Sequence, residues 1–289
     1  MRASLDSLKD LGRVIRERTS SLLPRVQKKE EPSVAPSEPK TDLDRFCNPD
    51  DRKPCITVCS PASPCECDCE SVRRSLVREL EERRIPRTVG RAKTGCGGSC
   101  KSGPFIGFPQ RGFFYLGVRP EDVPEIVRET VLGGKILFPF LSVNPDRAYR
   151  SDILFEKETG MLAAIHEGVC MVETAKYFLD FDEGLSCGKC APCRIGMKRM
   201  QEIMERVVSG NGTLPDMEQI RILCATMRET PHCEFAVTSS RPVLSALTYF
   251  EDEFLAHIEG KECPAGVCRE LVELQRKKAV RQRLMAKKR

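Results

Sequence analysis

CMVETAKYFLDFDEGLSCGKCAPCRIGMKRM, residues 170–200, is the stretch on which the reading of this chain turns. Within it Cys187-Gly-Lys-Cys190-Ala-Pro-Cys193 is a C-x2-C-x2-C run, and Cys233 follows in His232-Cys233-Glu234-Phe235. Iron–sulfur clusters are held by thiolates, and such a run can wrap three corners of a cubane that a distant cysteine closes. Gly188, Ala191 and Pro192 are small enough to let the backbone approach sulfide, while Arg194 and a helix start place positive charge and amide dipoles beside an anion. Four thiolates also suit tetrahedral zinc, although structural zinc sites usually pair two C-x2-C knuckles. Apolar side chains around these ligands recur at helical spacing: Met171, Val172, Ala175, Phe178 and Leu179; Ile195, Met200, Ile203, Met204 and Val207; Met217, Ile220, Leu223 and Met227; Leu244, Leu247, Phe254, Leu255 and Ile258. The pattern predicts a small helical bundle, with helix starts at Thr213–Asp216 and at Ser240 before Pro242. Cys224, beside Leu223 on an inner face, reads as packing, and His166 and His232 have no companion motif.

Upstream, residues 56–60 (ITVCS) read as a buried strand and 70–84 as a helix with Val72, Leu76 and Leu80 on one face. RTVGRAKTG, PFIGFPQ and GFFYLGV are short β-rich runs, and PEDVPEIVRETVLGG is a Pro-started, Gly-stopped helix. The β-α-β-β-β-α order predicts a compact α/β unit over 51–138. Residues 1–50 combine an amphipathic basic helix (Leu5, Leu8, Leu11, Val14, Ile15), suited to docking on a partner, with a Pro-rich linker. Residues 139–166, with their prolines and brief apolar runs, are expected to be an irregular connector. The bundle occupies 167–262, and 263–289 hold CPAGVC and a basic tail with nine basic and two acidic side chains in its last 21 residues.

The chain carries 16 cysteines in 289 residues, several times ordinary usage. Neither an apolar run long enough to span a membrane nor the apolar core of a signal peptide is visible, so a cytoplasmic, reducing setting is expected, where clustered thiols bind metals more often than they form disulfides. A net charge of +5 with 6 % aromatic residues and no Trp advertises no nucleic-acid surface.

The stretch from Cys170, the cysteine of HCEF and VLSALTYFEDEFLAHI resemble the C-terminal cluster-binding bundle of the NADH-binding flavoprotein subunit of respiratory complex I and of the related subunit of electron-bifurcating hydrogenases. The resemblance implies a 4Fe-4S cluster on Cys187, Cys190, Cys193 and Cys233. Where that family has Gly-Leu-Gly after the last ligand, this chain has Glu234-Phe235-Ala236. TGCGGSCKSGPFIGFPQRGFFYLGVRPEDVPEIV, with the strand–cysteine–helix start before it, resembles the thioredoxin-like 2Fe-2S ferredoxin domain of the same assemblies. Two cysteine pairs, the second in a Gly-rich turn whose amides can bond to sulfide, suit such a cluster. The implied ligands are Cys59, Cys65, Cys96 and Cys100. The family's first pair is C-x4-C, which falls on Pro64 here, so Cys65 stands in for it, with Cys67 and Cys69 close by. Those two, with Cys47 and Cys55, are left over as spare ligands or a further site. His257, Cys263 and Cys268 need one more ligand to make a zinc site, and Cys170 can supply it; the hydrogenase relatives are similar in these positions.

The fold expected is therefore α/β plus all-α: a thioredoxin-like 2Fe-2S ferredoxin domain followed by a four-helix 4Fe-4S bundle. No G-x-G-x-x-G or P-loop is present, so no flavin or NADH site is expected. The expected role is a non-catalytic electron-transfer subunit, passing single electrons between a catalytic subunit (hydrogenase, formate dehydrogenase or electron-bifurcating type) and a flavoprotein in a hetero-oligomer. The alternatives are a zinc-binding structural or assembly scaffold on the same folds and a thiol–disulfide enzyme, the latter lacking the C-x-x-C helix start that tunes a thiolate.

Overall fold

The computed structural model describes residues 54–61, 65–142 and 150–286. The expected N-terminal helix and linker, Cys47 and the last three residues of the basic tail lie outside the described residues.

The first strand, β1 (Ile56–Pro61), is followed by helix α1 (Cys69–Glu82) and strand β2 (Val89–Gly95). The two strands run parallel in a register from Ile56↔Val89 to Pro61↔Thr94, the pairing that a helical crossover permits. Helix α1 starts where the Asp68 carboxylate accepts the Ser71 N–H at 3.3 Å, the role of an N-cap. Its Val72, Leu76 and Leu80, spaced by four, are buried on the sheet. Strands β3 (Ile106–Phe108) and β4 (Phe113–Tyr115) form a hairpin whose first strand pairs antiparallel with β1. A continuous helical stretch, α2 (120–132), covers this side with Val123, Ile126, Val127 and Val131 buried.

Residues 139–166 differ from the irregular connector that the sequence suggested. They contain strands β5 (Ile153–Phe155) and β6 (Leu162–Ala164), which pair antiparallel, and β6 pairs antiparallel with β2. The sheet order is thus β4-β3-β1-β2-β6-β5. Three-residue strands are too short to show period-two alternation against a background of prolines and charges, which is why the sequence concealed them. The hairpin is apolar on both faces: Leu154, Met161, Ala163 and Ile165 enter the core shared with α1 and α2, whereas Ile153, Phe155, Leu162 and Ala164 enter the core of the helical part. Successive strand residues point to opposite faces, so one hairpin can be shared by two cores.

The helical part comprises α3 (Met171–Leu185), α4 (192–208), α5 (Leu214–Glu229), α6 (Glu234–Tyr249), α7 (251–260) and α8 (Arg269–Ala286). Thr213 N–H donates to Asp216 at 2.9 Å and Asp216 N–H to the Thr213 carbonyl at 3.0 Å, starting α5 as the sequence suggested. The start expected at Ser240–Pro242 is corrected: α6 begins at Glu234, with Pro242 inside it. Proline removes a backbone donor within a helix. In the turns before it, the Thr238, Ser239 and Ser240 hydroxyls donate to the carbonyls of Phe235, Ala236 and Val237, the back-bonding that bends helices. Helix α8 buries only Leu271 and leaves Val280, Leu284 and Met285 exposed.

Leu162 is fully buried in the face that β6 turns to the helices. Leu162→Ala is expected to cost about 2–5 kcal/mol and to lower a single melting transition followed by far-ultraviolet circular dichroism. A variant in which the helical signal melts separately would show that the hairpin does not couple the two cores.

Candidate iron–sulfur and metal centres

The C-x2-C-x2-C run lies where α3 ends and α4 begins. Gly188 takes a φ of +63°, a conformation that glycine adopts without steric cost, and its N–H donates to the Ser186 hydroxyl at 3.2 Å. Cys193 is buried in the first turn of α4, Cys190 is half-buried, and Cys187 and Cys233 are exposed. Cys233 stands immediately before α6. The Cys193 amide, with the Cys193 thiol and the backbone at His232, holds the Cys190 thiol below its ordinary value. Burial, the Cys190 thiol and the charge of Cys233 push Cys193 up to about 11, against a hydrogen bond from Ser186. Cys193 thus interacts with both Cys190 and Cys233.

The second group is larger than the four residues expected. Cys59 Sγ lies 2.9 Å from Cys69 Sγ, and Cys65 Sγ lies 3.6 Å from Cys69 Sγ. Cys67 Sγ lies 3.5 Å from Cys100 Sγ. Cys96 Sγ accepts the Gly98 N–H at 3.3 Å, and its charge is felt at Cys65, Cys67 and Cys100. A Cβ at Gly103 would stand 3.0 Å from both Cys67 Sγ and Cys100 Sγ, so glycine there leaves room for the pair. Cys69 thus lies beside Cys59 and Cys65, and Cys67 beside Cys100, three of the four thiols named from the sequence. Burial raises Cys65, Cys67 and Cys100, whereas Cys69 is raised first by its hydrogen bond with Cys59 and then by burial. Thiols crowded in this way stay protonated until a cation replaces the protons. Cys55 is buried just ahead of β1, four residues from Cys59 and therefore about 13 Å along a strand.

Nothing in the residue pattern signals how the Cys96–Cys100 turn is held. Glu156, between β5 and β6, accepts the N–H of Lys101 at 3.1 Å, the N–H of Ser102 at 2.8 Å and the Ser102 hydroxyl at 2.5 Å. Burial would raise its carboxyl, but these donors and Thr159 outweigh it and hold the group below its ordinary value. Lys101 pairs with Glu158, and the Arg241 guanidinium of α6 donates to the Lys157 carbonyl. From the other side Tyr249, the last residue of α6, packs on the turn: a Cβ at Gly95 would meet its ring at 2.9 Å, and one at Gly97 its hydroxyl at 3.2 Å. Burial, then the charge of Cys96, raises the Tyr249 phenol.

The third group is Cys170, His257, Cys263 and Cys268, all buried, with one ligand atom from each within 4.8 Å of the others. His257 Nε2 lies 3.4 Å from Cys170 Sγ and 3.3 Å from Cys268 Sγ, and the two sulfurs are 3.7 Å apart. Ligands of a tetrahedral zinc, at about 2.3 Å for sulfur and 2.0 Å for nitrogen, stand about 3.5–3.8 Å apart; the set fits that ion. His257 Nδ1 lies 2.7 Å from the Glu253 carbonyl, which directs Nε2 inward. Burial lowers the imidazole pKa, but Cys170, Cys263 and the Glu253 carbonyl outweigh it and raise it to about 10, while hydrogen bonds from Cys170 and Cys268 hold the Cys263 thiol far below its ordinary value. The Glu253 carboxylate accepts the Met171 N–H at 2.9 Å and pairs with Lys93 of β2 at 2.6 Å, tying this site to the sheet.

Residues 173–257 match the family described as the NADH-ubiquinone oxidoreductase-F iron-sulfur binding region. The NADP-reducing hydrogenase subunit HndC of Solidesulfovibrio fructosivorans is 41% identical over 114 residues, 39% of this chain and 23% of that protein. The F 2 subunit of NADH-quinone oxidoreductase from Rhizobium meliloti is 34% identical over 103 residues, 36% of this chain and 24% of that protein. A crystal structure of NAD+-reducing NiFe-hydrogenase in its air-oxidised state overlaps 33% of this chain and 17% of that chain at 25% identity, with a TM-score of 0.32. Through its iron–sulfur binding region the chain is a relative of these oxidoreductase subunits. It spans about a quarter of the length of the curated relatives it matches.

No helix among the described residues is long and apolar enough to cross a membrane.

Glu156→Gln is expected to cost about 1–3 kcal/mol, the worth of charged hydrogen bonds, read as a lower urea midpoint at pH 7. Because the folded pKa of Glu156 lies below its ordinary 4.5, its contribution is present above that pH and is lost as pH falls through the folded value. The gap between wild type and variant should therefore narrow in acid; a gap that widens counts against this role.

Proposed function

We propose that this chain is an iron–sulfur electron-transfer subunit, relaying single electrons between partner subunits of a cytoplasmic oxidoreductase complex. The observation that carries the reading is the iron–sulfur binding region at 173–257, with Cys187, Cys190 and Cys193 leading into α4 and Cys233 immediately before α6. Those four would hold a 4Fe-4S cluster in a four-helix bundle over 167–262. Cys59, Cys65, Cys96 and Cys100 would hold a 2Fe-2S cluster in a thioredoxin-like domain over 51–138, a reading supported by the parallel β1-α1-β2 unit and by further thiols beside three of them, Cys69 next to Cys59 and Cys65 and Cys67 next to Cys100. Cys170, His257, Cys263 and Cys268 would hold a structural zinc, which the ligand spacing and the Glu253 hydrogen bond support. The clusters supply one-electron chemistry. The chain's own residues supply thiolates, amides aimed at sulfide and a rigid spacing between the two sites. Residues 139–166 hold Glu156 against the Cys96–Cys100 turn, and the chain itself would bind neither flavin nor NADH. Its partners would then be a flavoprotein and a catalytic subunit such as a hydrogenase, a formate dehydrogenase or an electron-bifurcating enzyme, with the basic residues of α8 and the tail and the N-terminal segment of residues 1–50 as docking elements.

The zinc geometry favours a second reading, a structural or assembly scaffold on the same folds. Iron, acid-labile sulfide and zinc per chain, measured on protein prepared without oxygen, separate the two. The relay requires about six irons, six sulfides and one zinc; zinc with little iron and no sulfide leaves the scaffold.

A further inference from the structure

A tyrosine of the helical part lies against the turn that carries Cys96. We propose that the Tyr249 hydroxyl is a hydrogen-bond donor to the 2Fe-2S cluster held at Cys96, and that through it the helical part of the chain sets the potential of that cluster. The proposal rests on the 2Fe-2S reading above and goes beyond it, since that reading uses no residue outside 51–138.

Cys96 stands between two glycines, and Tyr249 packs on both. A Cβ at Gly95 would stand 2.8 Å from Tyr249 Cβ and 2.9 Å from its Cδ2, and a Cβ at Gly97 would stand 3.2 Å from the hydroxyl oxygen. The ring therefore runs along residues 95–97, with its root at the end of β2 and its hydroxyl at the first residue past Cys96. The end of α6 is fixed independently of this contact. The Phe250 N–H donates to the Ala246 carbonyl at 2.9 Å, and the Phe250 ring also covers Gly95, where a Cβ would meet it at 2.8 Å. A few residues on, Glu253 pairs with Lys93 of β2 at 2.6 Å. A neutral phenol carries one donor proton. Burial, then the charge of Cys96, raises this phenol above its ordinary value and keeps the proton on its oxygen. Among the described residues none forms a hydrogen bond with the hydroxyl. The side chain keeps 38% of its surface exposed, so water is the competing acceptor, and the test below separates the two. A hydrogen bond to a cluster sulfur stabilises the reduced, more negative state more than the oxidised one and so raises the potential. The Gly98 N–H already donates to Cys96 Sγ at 3.3 Å from within the turn; Tyr249 would add a donor from the helical side.

The test compares the full chain, carrying both clusters, with Tyr249→Phe, which keeps the ring and removes only the hydroxyl. Redox titration followed by electron paramagnetic resonance reads both clusters in one sample, and the 4Fe-4S signal reports that each protein is folded. At the wild-type midpoint of the 2Fe-2S cluster, the reduced-to-oxidised ratio of the variant is expected to fall about 2- to 10-fold, the net worth of one hydrogen bond, while the 4Fe-4S midpoint stays in place. Electron–nuclear double resonance on the reduced 2Fe-2S cluster, before and after exchange into deuterated water, is expected to show an exchangeable-proton coupling in the unaltered protein that the variant lacks. A 2Fe-2S midpoint that does not move, or an exchangeable-proton spectrum identical in the two proteins, overturns the inference, because the hydroxyl then faces water and the ring only packs. Equal shifts of both midpoints also count against it, since they report a general change in the protein. Absence of a 2Fe-2S signal from the unaltered protein, with the 4Fe-4S signal present, overturns the reading of the site and this inference with it.

Discussion

The two-faced hairpin β5–β6 is the constraint on which the remaining geometry depends. A strand buried on one side fixes the register of one sheet. A strand buried on both sides also fixes what packs on the far side, because a slip of one residue would exchange the two apolar sets. Leu154 and Ala163 cannot leave the α1–α2 core without Ile153, Phe155 and Leu162 leaving the helical core. Thr57 adds a polar lock on the same axis: its hydroxyl, on β1, donates to the Ile165 carbonyl just after β6 at 2.6 Å. Arg150 ties the approach to β5 to α3 by pairing with Asp152 at 2.7 Å and Glu173 at 2.6 Å. The segment between the two cysteine-rich parts is thus a structural weld, and its turn carries the carboxylate that positions a cluster loop.

Charge sets the second constraint. In each of the three groups, thiols are packed closely enough to hydrogen-bond to one another. Mutually repelling thiolates are costly in a low-dielectric interior unless a cation lies between them. Backbone amides at Gly98 and Cys193 donate to thiols in two of the groups, and Lys101, Lys189 and Arg194 adjoin their cysteines in the chain. Amides stabilise a modest net negative charge and not a set of bare thiolates, so the polypeptide is matched to thiolates whose charge is largely cancelled by metal. This distinguishes the three groups from Cys224, a single buried thiol raised to about 12 by burial and set among Met200 and the Ser240 carbonyl.

Much of this was legible in the sequence because the ligands are close in sequence or repeat at regular intervals. The strands at 56–61 and 89–95 and the helices α1 to α5 follow from periodicity and caps, and the meeting of Cys170 with His257, Cys263 and Cys268 was offered by the short spacing of the last three together with the family resemblance. What stayed hidden depended on long-range pairing. Strands β5 and β6 are three residues each, and only their burial on both faces identifies them. Glu156 looked like one acid among several in FEKETG, yet it meets amides 54 and 55 residues away. Cys67 and Cys69 read as surplus because spacing alone does not say which sulfurs a helix start turns inward; Asp68 as an N-cap immediately before Cys69 was the available clue. Pro242 pointed to a helix start, and the serine and threonine hydroxyls that accommodate it inside α6 are ordinary composition until the helix exists.

Helix α6 gives the distance between the two cysteine-rich sites a physical basis. Cys233 precedes its first residue, and Tyr249, its last, packs on the turn that carries Cys96. Sixteen residues of helix at 1.5 Å each span about 24 Å. Its two ends are held independently, one by the helical core and the other by Gly95 and Gly97, so the span is a rigid spacer and not a tether. Electron transfer weakens exponentially with distance. Under the relay reading, a helix of this length between Cys233 and the Cys96 turn would let each site meet its own neighbour. The exposed Cys187 and Cys233 at one end and the half-buried Cys65, Cys67 and Cys100 at the other suit that arrangement.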